Sequence, residues 1–322
     1  MKAAVYYETG GPDVFSYEDV PDPRLRPKSV LIRVGAVAIQ GGDVLHRAGG
    51  ELATRPHIVG YQAAGIIEAV GEAVTGLRPG QKAVATMPFG SHAELVSVPP
   101  QAVYVVPDSM DVKVAACIPV EFGTAHDCLF EFGGLRAGET VLVQAGASGV
   151  GLAAVQLAKR AGATVLATAS SDERVERLTE FGCDHGINYL KHDLAAEAFR
   201  FTKGHGADLV VDPVGGKTLE ASVAALAYRG RIAWVGSAGR ESDAPQLSGI
   251  MQKNASIHGV FLGAEFAAQP DRTRRIIEEV IERVATGELR VVVDRAFPLS
   301  EAAEAHRYIE SRQAFGRVVL TP

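Results

Sequence analysis

The segment of residues 141–162, VLVQAGASGVGLAAVQLAKRAG, constrains the fold more than any other part of this 322-residue chain. An apolar run over residues 141–143 leads into a loop of small residues, and a segment with helical periodicity follows from residue 150 to residue 161. A strand, a glycine turn and a helix in this order are typical of the unit that binds dinucleotides. The glycines let the backbone approach a pyrophosphate, and the N–H groups at the helix start bind it.

The residues of this turn that we expect to bind the cofactor are Gly146, Ser148, Gly149, Val150 and Gly151. Because Ser148 replaces the middle glycine of the usual pattern, the motif alone is weak evidence. The buried-type strand before it and the helix after it favour a dinucleotide site. The alternative is a tight turn in an α/β protein that binds no nucleotide.

Composition describes an ordinary globular protein. The chain is 47% hydrophobic and 22% charged, and its length allows two domains. The net charge of -6 gives no general attraction to nucleic acid or to anionic membranes. No apolar run approaches the ~20 residues that span a bilayer. We also expect no signal peptide, because the first residues lack a long apolar segment before a cleavage site.

The three cysteines, Cys117, Cys128 and Cys183, are odd in number and widely spaced. This pattern does not suggest a disulfide framework, and it favours a cytoplasmic location. Each cysteine is also explained as a small buried hydrophobic residue.

The pattern of predicted elements changes along the chain. Short β-rich runs separated by Gly, Pro and Asp predict a barrel or sandwich-like β domain in the first hundred residues. These runs are residues 3–7, 30–37, 64–70, 82–85 and 93–98. From about residue 115, buried-type strands alternate with helices, which predicts a parallel sheet covered on both faces. The strands are residues 140–145, 164–168, 186–189, 209–212, 231–236 and 256–261, and the helices are residues 151–161, 172–181, 193–202 and 217–227. Helices over 271–285 and 301–310 and a strand over 316–320 follow.

Short motifs are spread over essentially the whole chain. They are GGP at residues 10–12, GYQAAG at 60–65, GTA at 123–125, ASGVG at 147–151, INY at 187–189, DPVGG at 212–216 and GRVVL at 316–320. None is specific by itself. Together they make the chain similar to the medium-chain dehydrogenase/reductase superfamily, specifically its zinc-free quinone oxidoreductase branch, which includes zeta-crystallin.

This resemblance implies an α/β fold in which a Rossmann domain, a doubly wound parallel sheet, is inserted into a GroES-like β-barrel domain. We expect the GroES-like domain over residues 1–117 and 264–322 and the Rossmann domain over residues 118–263, with the active site in the cleft. The resemblance also implies a homodimer, in which the strands over 256–261 of two copies pair across a two-fold axis.

Zinc enzymes of this superfamily hold their catalytic metal with a Cys, a His from a Gly-His-Glu motif and a second Cys. Here those positions are Gln40, Tyr61 and Val120, and Gln62 replaces the Glu. A catalytic zinc needs about three such ligands, so we expect no metal. Without a Lewis acid, hydride transfer to a conjugated acceptor such as a quinone or an enone is favoured over alcohol oxidation.

NADPH is the expected cofactor. An NAD-selective site places an acid after the second strand, whereas here two serines follow it and the acids Asp172 and Glu173 favour the start of the next helix. The resemblance places Ser170, Arg174 and Tyr189 around a 2′-phosphate, which Arg174 would bind through charge-assisted hydrogen bonds. The alternative for Arg174 is a solvated helix residue.

The resemblance assigns further residues to the cofactor, namely Thr124, Val214, Gly236, Ser237, Phe261 and Arg317. For Thr124 the alternative is a hydroxyl at a helix start.

The residues expected at the acceptor are Gln40, Asp43, His46 and Tyr61. Gln40 stands where relatives often carry Asn, and its amide can still donate a hydrogen bond. Leu45 takes the position of a Tyr, so His46 is the substitute donor. Asp43 orients Gln40 or the nicotinamide ribose, or is only a turn carboxylate. Tyr61 either donates to the acceptor oxygen or packs against the nicotinamide.

These observations predict an NADPH-dependent, zinc-independent quinone oxidoreductase that acts on a small molecule. An enone or enal reductase is a close alternative, since it uses the same hydride step at a β-carbon. A third alternative of another class is an NADP(H)-binding redox sensor or structural protein without turnover.

Overall fold

A computed structural model of the protein describes residues 1–241 and 243–322. The chain divides into two compact units. Unit 1 comprises Met1–Val120 and Gln269–Pro322, and unit 2 comprises Glu121–Ala268. The domain boundaries expected at 117/118 and 263/264 stay a prediction.

The strands of the described residues, in chain order, are β1 (Lys2–Val5), β2 (Ser16–Asp19), β3 (Val30–Ala38), β4 (Gln62–Val70), β5 (Lys82–Thr86), β6 (Leu95–Val98), β7 (Val103–Val105), β8 (Thr140–Val143), β9 (Thr164–Ala169), β10 (His185–Asn188), β11 (Ala207–Asp212), β12 (Leu226–Trp234), β13 (Ser256–Gly259), β14 (Val293–Pro298) and β15 (Arg317–Thr321).

The α-helices of the same residues are α1 (Gly41–Gly49), α2 (Val112–Ala115), α3 (Pro119–His126), α4 (Gly149–Arg160), α5 (Asp172–Leu178), α6 (Leu194–Phe201), α7 (Gly216–Ala225), α8 (Gly249–Gln252), α9 (Leu262–Ala268), α10 (Pro270–Ala285) and α11 (Ala302–Glu310). Short 3-10 turns at Pro12–Val14, Pro100–Ala102, Thr179–Phe181 and Leu299–Glu301, and one π-helical turn at Asp127–Glu131, complete the set.

Unit 2 is built on a six-stranded sheet with the order β10-β9-β8-β11-β12-β13. All neighbouring strands in it run parallel. All four residues of β8 are buried, as a central strand covered by helices on both faces requires. The strand order reverses between β8 and β11, so the carboxyl ends of these two strands form the point where such sheets bind ligands. The predicted doubly wound parallel sheet is confirmed.

Unit 1 contains a seven-stranded sheet, in which β14, β15, β3, β4, β5 and β7 follow one another and β6 also pairs with β3. Its neighbours are antiparallel except for β14 and β15. Along β3, Val30, Ile32 and Val34 are buried, whereas Leu31 and Arg33 between them are more exposed. This alternation is that of a strand with one face on a core. A separate antiparallel pair joins β1 to β2.

Several predicted elements differ in their bounds. The helix expected over residues 217–227 ends at Ala225, and the strand expected over 231–236 begins already at Leu226. The strand expected over 256–261 ends at Gly259. The segment around Asp43, for which the sequence predicted no helix, forms the helix α1, and its glycines explain the weak sequence signal.

Among the helices described here, none combines the length and the apolar character needed to cross a bilayer.

Candidate active site

The glycine turn of unit 2 lies between β8 and α4. Its backbone is tied to the next strand, because the N–H of Gly146 donates to the carbonyl of Thr168 at 2.8 Å. Ser148 is the N-cap of α4, and its hydroxyl accepts the N–H of Gly151 at 3.0 Å. A Cβ at Gly151 would lie 2.3 Å from the carbonyl oxygen of Ala145, so only glycine fits there. The serine in the middle of the motif therefore acts as a helix cap, which glycine lacks the side chain to do.

A buried carboxylate organises the loop after β11. Asp212 is fully buried, and one of its oxygens accepts the N–H groups of Val214 at 2.9 Å and Gly215 at 3.0 Å. Its other oxygen accepts the hydroxyl of Ser222 at 2.7 Å. Burial raises the pKa of Asp212, and these three donors oppose the shift. The side chain thus holds the loop that carries Val214, one of the residues predicted to bind the cofactor.

The same chain of hydrogen bonds continues to the glycine turn. The side-chain amide of Gln144 donates to Ser222 at 3.0 Å, and its oxygen accepts the hydroxyl of Thr168 at 2.9 Å. The Thr168 oxygen in turn accepts the N–H of Ala145 at 3.0 Å. One buried network therefore connects the two loops at the carboxyl ends of β8 and β11.

The residues predicted to bind a 2′-phosphate lie at the carboxyl end of β9. The guanidinium of Arg174 donates to the hydroxyl of Ser170 at 2.9 Å. Ser171 caps α5 by accepting the N–H of Arg174 at 3.3 Å. Tyr189 follows the neighbouring strand, is 43% exposed and donates its N–H to the carbonyl of Ala169 at 3.2 Å. The structure thus brings Ser170, Arg174 and Tyr189 to adjacent strand ends.

Asp172, the first acid after β9, is already hydrogen-bonded. Its two carboxylate oxygens accept the Nδ2 of Asn188 at 2.6 Å and the Nζ of Lys191 at 2.5 Å. The hydrogen bond from Asn188, followed by that from Lys191, lowers the pKa of Asp172. Sequence reasoning assigned no role to either donor.

The other residues predicted to bind the cofactor lie at several places. Gly236 and Ser237 follow β12 and lie against the loop after β11, since a Cβ at Gly215 would meet them at 3.1 and 3.3 Å. Thr124 is buried in α3, and Phe261 follows β13 with 72% of its surface exposed. Arg317 is the first residue of β15 in unit 1.

In unit 1, the start of α1 positions Gln40 and Asp43. Gln40 is the N-cap of this helix and is buried, and its N–H donates to a carboxylate oxygen of the fully buried Asp43 at 2.7 Å. Arg317 donates to the carbonyl of Ile39, the preceding residue. Asp43 thereby closes a capping box at the start of α1, and its roles toward the Gln40 side chain and the nicotinamide ribose stay predictions.

Tyr61 packs on the first turn of α1. A Cβ at Gly42 would lie 2.6 Å from the Tyr61 hydroxyl, so the glycine makes room for the phenol. Burial raises the pKa of Tyr61 to about 12, and the negative charge of Asp43 adds to the shift. The phenol therefore stays protonated through the neutral range and can donate a hydrogen bond.

His46 on α1 has partners that the sequence did not indicate. Its Nδ1 lies 2.9 Å from the hydroxyl of Tyr6, which comes from the amino-terminal segment. Its ring stacks on the buried ring of His57, with centroids 4.7 Å apart and planes 18° apart. Burial, followed by the neighbouring His46, lowers the pKa of His57 to about 4. Tyr6 and His57 thus join His46 in this cluster.

Gln62 and Val120, two positions that correspond to the zinc motif, are joined by a hydrogen bond. The side-chain oxygen of the fully buried Gln62 accepts the N–H of Val120 at 3.0 Å. In residues 1–241 and 243–322, no group of three or more His, Cys, Asp or Glu side chains is arranged to hold a metal ion.

A signal for part of the missed network was present in the sequence. Gln144 and Asp212 are polar residues at the ends of apolar strands, and strand ends are where parallel sheets place their ligand-binding residues. Asn188 also lies at a strand end, that of β10, whereas Tyr6 and Lys191 carry no such signal.

Comparisons with known proteins agree with this architecture. Residues 26–108 match the alcohol dehydrogenase GroES-like domain, and residues 149–295 match the zinc-binding dehydrogenase family. The 2-haloacrylate reductase of a Burkholderia species is 32% identical over 336 residues, which cover 100% of this chain and 99% of that protein. The quinone oxidoreductase of Pseudomonas aeruginosa is 32% identical over 317 residues, with 97% of each chain covered.

A solved mycobacterial structure is also similar. This protein, crystallised in complex with NADPH, superposes with a TM-score of 0.94 at 30% identity, over 100% of both chains. The predicted combination of a GroES-like and a Rossmann domain is confirmed. The chain therefore belongs to the medium-chain dehydrogenase/reductase superfamily, in its quinone oxidoreductase branch.

Proposed function

We propose that this protein is a zinc-independent, NADPH-dependent quinone oxidoreductase. The observation that carries the proposal is the donor set at the end of β9, where Arg174 and Ser170 offer hydrogen bonds and Asp172 is held by other partners. The bound NADPH of the mycobacterial relative supports the same cofactor. The Pseudomonas quinone oxidoreductase supports the reaction class.

The residues of unit 2 fit a dinucleotide phosphate. Gly149 and Val150 supply N–H groups at the start of α4, which is a 12-residue helix. The N–H of Gly151 is already used, because it donates to the hydroxyl of the N-cap residue Ser148. Arg174 and Ser170 bind the 2′-phosphate through charge-assisted hydrogen bonds. When bound, NADPH supplies a hydride.

Unit 1 supplies the groups that act on the acceptor. As the hydride reaches the quinone ring, negative charge develops on a carbonyl oxygen, and one proton from solvent completes the hydroquinone. Tyr61, protonated because its pKa is about 12, donates a hydrogen bond that strengthens as this charge develops. Gln40 donates a second hydrogen bond through its amide, and Asp43 fixes its backbone. His46, oriented by Tyr6, is the third donor.

Zinc independence is supported by the residues at the expected ligand positions. Glutamine and tyrosine replace the first cysteine and the histidine, and Gln62 is bonded to the backbone of Val120. The hydrogen-bond donors of unit 1 then take the place of a Lewis acid, which is sufficient when the charge delocalises over a conjugated acceptor.

An enone or enal reductase is a second candidate, favoured by the similarity to 2-haloacrylate reductase. In that reaction the hydride adds to a β-carbon, a proton adds to the α-carbon, and the carbonyl oxygen needs the same donors. The third candidate, a redox sensor or structural protein that binds NADP(H), predicts binding without turnover.

The deciding experiment is steady-state oxidation of NADPH with a panel of quinones, enones, enals and 2-haloacrylates. Highest kcat/KM on quinones supports the first candidate, and highest kcat/KM on a carbon–carbon double bond supports the second. Binding of NADPH without turnover on the whole panel points to the third. In parallel, a chelator should leave activity intact, and elemental analysis should find no stoichiometric zinc. One zinc per chain, with activity lost on chelation, contradicts metal independence.

We further propose a cytoplasmic homodimer. Cys117, Cys128 and Cys183 are buried and are not joined in disulfides, which is compatible with a reducing compartment. Strand β13 is the last strand of the unit 2 sheet and offers an edge for a second copy.

A further inference from the structure

Asp172 poses a problem for NADPH binding. It lies three residues beyond the end of β9, where NAD-selective proteins place the acid that accepts the ribose 2′-OH. A carboxylate available at this place repels a 2′-phosphate. Its charge therefore has to be compensated if Ser170 and Arg174 are to select NADPH.

The structure shows this compensation at both oxygens of the Asp172 carboxylate. One oxygen accepts the Nδ2 of Asn188 at 2.6 Å, and the other pairs with the Nζ of Lys191 at 2.5 Å. These hydrogen bonds lower the pKa of Asp172, so the carboxylate is ionised and paired at neutral pH.

Asn188 is fixed in the orientation that this contact needs. It is the last residue of β10, lies beside Ala169 in the parallel register and is almost completely buried. Its Oδ1 accepts the N–H of Leu190 at 3.1 Å, which directs Nδ2 to Asp172. The carbonyl of Asn188 also accepts the N–H of Lys191 at 3.0 Å. One turn after β10 therefore presents both donors.

We infer that Asn188 and Lys191 are specificity-determining residues that mask Asp172 and thereby permit selection of NADPH. Lys191 neutralises the carboxylate, and Asn188 occupies the oxygen that would otherwise accept a ribose hydroxyl. With Asp172 paired in this way, Arg174 and Ser170 are the groups that meet the 2′-phosphate at this strand end. The inference rests on the proposed binding of NADPH at Ser170 and Arg174.

The test is fluorescence titration of NADPH and NADH into the intact wild-type protein and into Lys191→Met. Removing the cation leaves Asp172 uncompensated, so Kd for NADPH should rise roughly 3–10-fold, while Kd for NADH stays level or falls. The rise in Kd for NADPH should be larger at low ionic strength, because the side chains of Lys191 and Asp172 are exposed and salt screens their charges. Adding Asp172→Asn to Lys191→Met should restore the wild-type ratio of the two Kd values.

Lys159 provides a matched control. Its Nζ pairs with Asp184 at 2.6 Å, also on the surface of unit 2, but at the last turn of α4 and just before the start of β10, at the opposite end of the strands from Asp172. Lys159→Met should keep the wild-type ratio.

The possible failures are distinguishable. A wild-type protein that binds NADH more tightly than NADPH overturns the proposed cofactor, and this inference with it. A wild-type preference for NADPH that Lys191→Met leaves unchanged overturns the inference alone. If the double variant remains as weak for NADPH as Lys191→Met, Lys191 contacts the phosphate itself and masking is wrong.

Discussion

Tyr61 is the side chain on which the chemical step depends in the proposed reaction. Tyr61→Phe removes a donor that strengthens as charge develops, so kcat should fall roughly 10–100-fold, and by a larger factor than KM rises. Because the pKa of Tyr61 is about 12, wild-type activity should show no loss from its ionisation up to pH 10. Steady-state kinetics with the best acceptor measures both effects.

Tyr7→Phe is the control for Tyr61→Phe, since Tyr7 is exposed and its hydroxyl contacts Glu18 at 2.9 Å. An unchanged kcat in Tyr61→Phe would assign Tyr61 to packing against Gly42.

Substitution of Arg174 tests which cofactor the protein selects. A charge-assisted hydrogen bond contributes on the order of 1.5–3 kcal/mol, so Arg174→Ala should weaken NADPH binding roughly 10–150-fold. NADH lacks the 2′-phosphate, and its Kd should barely change. Arg174→Lys keeps the charge and should lose less. Equal losses for both cofactors in titrations would mean that Arg174 supports the fold only.

At the level of elements, the buried network across β8, β9, β11 and α7 should support both cofactor loops. Ser222→Ala removes one buried hydrogen bond from Asp212 and one from Gln144, which should lower the free energy of unfolding by about 1–3 kcal/mol. In the proposed cofactor site both loops hold parts that NADPH and NADH share, so the two Kd values should rise by the same factor. Chemical unfolding and titration measure these effects, with the edge variant Ser256→Ala as the control. A rise for NADPH alone would show that the network acts on the phosphate site.

The edge strand β13 should form the dimer. Its partner in the sheet is β12, and its outer side offers backbone N–H and carbonyl groups to a second copy. Light scattering at micromolar concentration should give the mass of two chains. His258→Glu, on the exposed part of β13, should shift the mass toward one chain because like charges meet across the two-fold axis, whereas His258→Gln should not. A monomeric wild type contradicts the dimer.

For the whole molecule, His57 should make folding sensitive to mild acid. Within the described part of the chain neither ring nitrogen of this fully buried side chain has a hydrogen-bond partner, and its pKa is lowered to about 4. In the unfolded chain this histidine takes up a proton near pH 6.5, whereas in the folded chain it does so only near pH 4. The folded protein therefore keeps its full stability above pH 6.5 and loses the contribution of His57 as the pH falls toward 4. This histidine should account for about 2 kcal/mol of lost stability at pH 5.

Urea unfolding at pH 7.5 and pH 5 checks this. His57→Phe should reduce the difference between the two pH values by that amount, and His258→Gln, at an exposed histidine, should not. An undiminished difference in His57→Phe would assign the acid sensitivity to other groups, such as His92, which burial also keeps neutral by lowering its pKa to about 3.

The sequence alone determined the architecture of unit 2 and the place of its glycine turn. Hydrophobic periodicity and glycine position are local properties, so they can be read without knowing which strands are neighbours. The bounds of single elements follow less closely from local pattern, since the helix expected to reach residue 227 ends at Ala225. Helix α1 was missed because its glycines give a weak local signal, although it positions Gln40, Asp43 and His46.

The tertiary structure decided which side chains are partners. Tyr6 reaches His46 across 40 positions, Gln62 reaches Val120 across 58, and Asp172 reaches Lys191 across 19. No periodicity encodes such pairs, because a hydrogen bond depends on a distance of about 3 Å that exists only once strand order and register are set. The sequence therefore predicted where the candidate sites lie, and the folded chain determined that Asp172 is hydrogen-bonded to Asn188 and Lys191 and that the backbone of Gln40 is held by Asp43.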